Sequence, residues 1–147
     1  MNYSTVLSMW QKAELFEHDI KKRFIKGGQM LCKLIVPTPE RPYIAYNMPD
    51  DAYMTGIVMA AMSMKYAVTK DESVRLFVKE LLAGADTLCR VTGIRGLLAR
   101  AFWPMSDPNF HDRRWMRNES MGLYWNGDVS TDQMDGLFFG LESELVG

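Results

Sequence analysis

Between Ala52 and Val68 the chain is apolar almost all the way round a helix. Tyr53, Met54, Ile57, Val58, Met59, Ala60, Ala61, Met62, Met64 and Tyr66 leave only Thr55, Ser63 and Lys65 as polar side chains. A helix without a polar face has to be enclosed by other elements on most of its sides. This segment is also shorter than the roughly 20 residues of a membrane span. The rest of the chain must therefore wrap it. With 48% hydrophobic and 12% aromatic residues over 147 positions, the chain has the material for that, and its length fits one domain over residues 1–147.

Three further helices are expected around it. From Thr5 to about Lys26, Val6, Trp10, Ala13, Phe16, Ile20 and Phe24 recur at three- and four-residue steps, and Gly27-Gly28 reads as the helix stop. From Ser73 to Val91, Val74, Phe77, Val78, Leu81, Leu82, Ala85 and Leu88 form a second one-sided stripe. The tight link Thr69–Glu72 makes that helix the antiparallel partner of the apolar one. The last helix starts near Thr131 or Asp132 and runs into Leu145. Between the first two helices, Met30 to Val36 reads as a short strand, followed by a loop rich in proline (Pro37, Pro39, Pro42, Pro49). Residues from about 92 to 130 read as one long aromatic-rich loop. The order is exposed, buried, exposed, buried, as nested helical hairpins require. The expected fold is all-α: hairpins of an (α/α) toroid, incomplete at this length.

Charge excludes some partners. Lys and Arg number 17 against 18 Asp and Glu, a net of −1, so the surplus of cations that phosphate neutralisation needs is missing and no nucleic-acid partner is expected. The basic groups Lys21-Lys22-Arg23-Lys26 and Arg113-Arg114-Arg117 read as solvated faces. Met1 to Trp10 shows no signal-peptide pattern, and Cys32 and Cys89 form neither a disulfide framework nor a metal set. The expectation is a soluble protein with no membrane partner, metal or cofactor, cytoplasmic as the sequence stands and of open location if it is a piece of a secreted precursor.

Hairpin topology places the polar residues. The apolar helix starts at one end of its layer and the next helix returns the chain there, where the long segment and the last helix begin. Asp50, Asp51, the 92–130 segment and the acidic run Asp128 to Asp135 should share one face. Carboxylates at helix N-termini beside Trp103, Trp125 and Tyr124 suit a neutral polyhydroxylated ligand, because carboxylates grip hydroxyls and aromatic faces stack on sugar rings. The plainer reading stays beside it: Asp50, Asp51 and Asp132 as helix caps, His111 as a hydrogen-bonding loop residue, and Arg100 as a partner to a carboxylate. An EF-hand from Asp128 is rejected, since Gln133 and Phe139 stand where Gly and Glu are required. No GxSxG, HExxH, CxxC or P-loop pattern occurs.

Four segments together resemble six-hairpin glycosidase-like proteins. They are Asp50-Asp51-Ala-Tyr-Met-Thr-Gly, Tyr66-Ala-Val-Thr-Lys-Asp-Glu72, Val91-Thr-Gly-Ile-Arg-Gly-Leu-Leu-Ala-Arg100, and Tyr124-Trp-Asn-Gly-Asp-Val-Ser-Thr-Asp132. The likeness runs over roughly residues 28–145. Asp50 stands where that superfamily usually has Asn, and Met54 where it usually has Trp. The resemblance implies a carbohydrate-processing cleft at the N-terminal ends of inner helices, with Asp51, Arg100, Asp128 and Asp132 at the matching positions. A full six-hairpin ring needs on the order of 300 residues, so either a longer polypeptide or homo-oligomerisation is expected to complete the core.

Three readings of function follow. The first is action on glycosidic bonds by paired carboxylates, with Asp51 and Asp132 as acid and base and Asp128 as a third catalytic candidate. Arg100, Trp125, Trp103, His111 and Asp50 would then hold the carbohydrate substrate. The alternative is a non-catalytic module that binds carbohydrate or serves in assembly. A third reading is a helical interaction domain whose acids only cap helices.

Overall fold

The computed structural model describes residues 6–110 and 115–146. Among the described residues there are four α-helices: α2 (Asp51–Thr69), α3 (Glu72–Arg90) and α4 (Thr131–Val146) stand close to where periodicity placed them, whereas α1 (Met9–Asp19) covers only the middle of the helix expected from Thr5 to about Lys26. The all-α expectation is overturned. Seven short strands form three antiparallel sheets: β1 (Ile25–Lys26) with β2 (Gln29–Met30), β3 (Lys33–Ile35) with β4 (Ala45–Asn47), and β5 (Ala101–Pro104), β7 (Leu123–Asn126) and β6 (Met116–Asn118) in that order. The architecture is mixed α and β rather than a helical toroid.

Two local causes account for the difference. Gly27 and Gly28 have φ of +63° and +80°, and positive φ at two adjacent turn residues is what a two-residue β-hairpin needs. The glycines therefore turn β1 into β2 rather than simply stopping a helix; α1 ends earlier, in a π-helical turn over Ile20–Phe24. In the segment read as one loop, Phe102 pairs with Trp125 and Trp103 with Tyr124 across β5 and β7. Aromatic cross-strand pairs of this kind stabilise short strands.

The core lies where α2 packs along both α3 and α4. Met59, Leu81, Leu88, Val91, Phe102, Trp125 and Leu137 belong to one buried cluster. The α2–α4 contact has no room for side chains: a Cβ on Gly56 would meet the Gly136 carbonyl oxygen at 1.9 Å, and one on Gly140 the Gly56 oxygen at 2.4 Å. The β1–β2 turn is pressed on α3 in the same way, through Gly28 and Gly84. Buried Gln29 then acts as a strand edge, its side-chain amide accepting from the Phe102 N–H at 3.2 Å and donating to the Phe102 carbonyl at 2.5 Å.

Enclosure of the apolar helix is partial. Met64 and Val68 of α2 are exposed, as are Met134, Phe138 and Phe139 of α4. On α1 the expected stripe finds no cover: Val6, Trp10 and Phe16 are exposed, and no residue of α1 is buried. Among the described residues, no helix is long and apolar enough to cross a membrane.

Candidate functional site

The residues expected on one face meet at the starts of α2 and α4. Arg100 is their hub. Its Nε donates to the Pro49 carbonyl, its Nη1 to the Asp128 carbonyl at 2.5 Å, and its Nη2 lies 3.4 Å from Asp50 Oδ1. Its backbone joins in, the N–H donating to the Asn126 carbonyl at 2.7 Å and the carbonyl accepting from Ala52 N–H at 3.0 Å. A planar fork with several fixed donors is what lets one arginine reach three acceptors on two separate segments at once. Asp50 Oδ1 also accepts from the Gln133 amide at 2.9 Å. The Asp128 side chain is 94% exposed. Asp132 is exposed and accepts from the Ser130 hydroxyl, which holds its carboxyl below the usual range.

Asp51 is placed differently. It has 0% exposure; Oδ1 accepts the Cys32 N–H at 3.0 Å and, among the described residues, Oδ2 meets no hydrogen-bond donor. Burial pushes its pKa up to about 7 despite the help of Cys32. Burial likewise raises the Cys32 thiol, next to the same carboxyl. Adjacent acids thus have separate fates: Asp50 is a half-buried member of the Arg100 network, and Asp51 is sealed beneath it.

Beside this junction opens a cleft of about 440 Å³. Pro49 and Asn126, both bound by Arg100, form part of its wall, so the acidic junction and the cleft share a boundary. Aromatic rings form an interlocked set there. Tyr46 lies 6.0 Å from Trp103, Trp103 stacks on Phe110 at 5.9 Å, and Phe110 meets Trp115 edge-on at 5.0 Å and Tyr124 at 4.9 Å. Lys26 Nζ sits 3.9 Å above the Trp103 ring and pairs with Asp107 at 2.7 Å. Burial acts to raise the Asp107 pKa, but the hydrogen bonds from Lys26 and the Asn109 N–H outweigh it and hold the carboxyl below its usual range. Asn47, Asn109 and Asn126 supply neutral donors and acceptors.

Of the sequence-derived candidates, Asp50, Arg100, Asp128 and Asp132 gather at the junction. Trp103 lines the cleft while only 5% exposed, and Trp125, also at 5%, belongs to the core. His111 lies outside the described residues. Lys26, Tyr46, Asp107, Phe110 and Trp115 were not singled out by sequence. They come from four separate segments, and the crowding of aromatics between Phe102 and Trp125 was the one available signal. Among the described residues, no group of three or more His, Cys, Asp or Glu is placed to hold a metal ion. No family model, curated protein or solved structure matches the chain.

Proposed function

We propose that the chain recognises a neutral saccharide in the cleft bordered by Tyr46 and Trp115. One observation carries this reading: half-buried aromatic rings and three side-chain amides line one open cavity whose cation, Lys26, is already neutralised by Asp107. A sugar ring offers a C–H face for stacking and a rim of hydroxyls for hydrogen bonds, and this lining matches both. The volume falls within the few hundred Å³ common for small-molecule sites. A charged ligand has no unpaired opposite charge to meet among the described lining residues.

A second reading, action on a glycosidic bond, is favoured by Asp50 and Asp128 meeting on Arg100 at the cleft wall. Such chemistry needs two carboxyl groups in different roles, and Asp50, Asp128 and Asp132 are the candidates at the junction beside the cleft. In this reading Asp51 supports the junction from beneath.

Titration of neutral mono- and disaccharides, followed by tryptophan fluorescence and calorimetry, tests the proposal. Saturable binding is expected, weakened about tenfold or more by Trp115→Ala, which corresponds to about 1.4 kcal/mol. If no saccharide binds, the reading is wrong. Product from oligosaccharides, lost in Asp132→Asn or Asp128→Asn with the fold unchanged, marks action on the bond; binding without product leaves recognition alone.

A further inference from the structure

We infer that the ligand of this cleft is a saccharide bearing an apolar aglycone, held by an aliphatic lip on the β3–β4 hairpin. This rests on the saccharide reading above and adds a ligand class to it. Ile35 and Ile44 both line the cleft yet remain 39% and 45% exposed. Ala45, the cross-strand partner of Ile35, and Met48 line it too.

A single exposed isoleucine needs no explanation. Here two of them flank one cavity, together with Ala45 and Met48. Ile35 ends β3 and Ile44 immediately precedes β4. The other lining is of different character: Lys26, Asp107, Asn109 and Asn126 are polar, and Tyr46 stands between the two kinds, its ring 6.0 Å from Trp103. A bare sugar would satisfy the amides and rings and leave the aliphatic lip in water. A sugar joined to an alkyl or aryl group covers both, and covering exposed aliphatic surface is favourable in proportion to its area.

The test compares methyl and hexyl glycosides of whichever sugar binds, by calorimetry, below the concentration at which the hexyl compound self-associates. The hexyl glycoside is expected to bind at least tenfold more tightly. Ile35→Ser and Ile44→Ser are expected to lower hexyl glycoside affinity several-fold more than methyl glycoside affinity, so that the ratio between the two compounds shrinks towards one. Both side chains are partly exposed, and circular dichroism of each variant establishes that it folds. Equal affinity for the two glycosides, or a preference untouched by either substitution, overturns the inference while the saccharide reading stands. Failure of both glycosides to bind, across a panel of sugars, overturns the saccharide reading and this inference with it.

Discussion

The Gln133 side chain joins α4 to α2 at Asp50: its amide donates to Asp50 Oδ1 at 2.9 Å while its carbonyl accepts from Tyr53 N–H at 3.1 Å. Gln133 is fully buried, and Tyr53 N–H belongs to the first turn of α2, where intrahelical acceptors are missing. One side chain thus completes a helix terminus and fixes an acid at the cleft boundary. Gln133→Leu keeps the volume but removes both bonds, leaving a helix N–H without its acceptor. The expected cost is about 1–3 kcal/mol, seen as a lower urea midpoint with unchanged slope. Stability equal to that of the parent chain would contradict the assignment.

Asp51 gives the protein a distinctive pH response. With its pKa raised to about 7 in the fold and near 3.9 in the unfolded chain, the native state holds a proton the unfolded chain has released. Stability from this site is therefore full below about pH 4 and falls as pH rises towards 7, with a slope approaching about 1.4 kcal/mol per pH unit. The lowered pKa of Asp107 acts with the opposite sign and in a lower window, where acid protonates its carboxylate. Asp51→Asn keeps an acceptor for Cys32 N–H and removes the titration. Unfolding free energies measured from pH 4 to 8 should decline in the parent relative to this variant; parallel curves would show that Asp51 does not hold the proton.

Much of the helical frame was legible, because 16- to 19-residue helices repeat their apolar pattern several times. The sheets were not, since strands of two to four residues are too short for alternation to be seen. Gly27-Gly28 shows the ambiguity well: positive φ is needed both after a helix and in a tight hairpin, and only the chain beyond decides. Convergence of Asp50, Arg100 and Asp128 followed from hairpin topology. Which of Asp50 and Asp51 is sealed did not, because neighbouring identical residues differ only in what packs over them. The cleft was hidden for another reason. Lys26, Tyr46, Asp107 and Trp115 come together only through the sheets.

Exposed apolar residues on α2 and α4 predict self-association. Met64, Val68, Met134, Phe138 and Phe139 are exposed on two helices packed side by side, and large exposed apolar side chains gathered on neighbouring elements can mark an interface. Sedimentation velocity should show concentration-dependent oligomers, and Phe138→Glu together with Met64→Glu should shift the chain towards monomer. A parent chain that stays monomeric at high micromolar concentration would refute this.

Arg100 offers the sharpest test of how the junction supports the cleft. Its guanidinium reaches the Pro49 and Asp128 carbonyls and the Asp50 carboxylate from one plane, and lysine, a single-point donor, cannot reproduce that fork. Arg100→Lys keeps the charge and loses most of the geometry, so about 1–3 kcal/mol of stability should go with the unmet acceptors. Because Pro49 and Asn126 form part of the cleft wall, saccharide affinity should fall in the same variant although Arg100 is not among the residues lining the cavity. Hydrogen exchange at Asp128–Ser130 should quicken, while exchange in the middle of α3 stays as it was. If affinity drops with no change in exchange at that loop, Arg100 acts on the ligand directly; if exchange quickens and affinity holds, the junction and the cleft are independent.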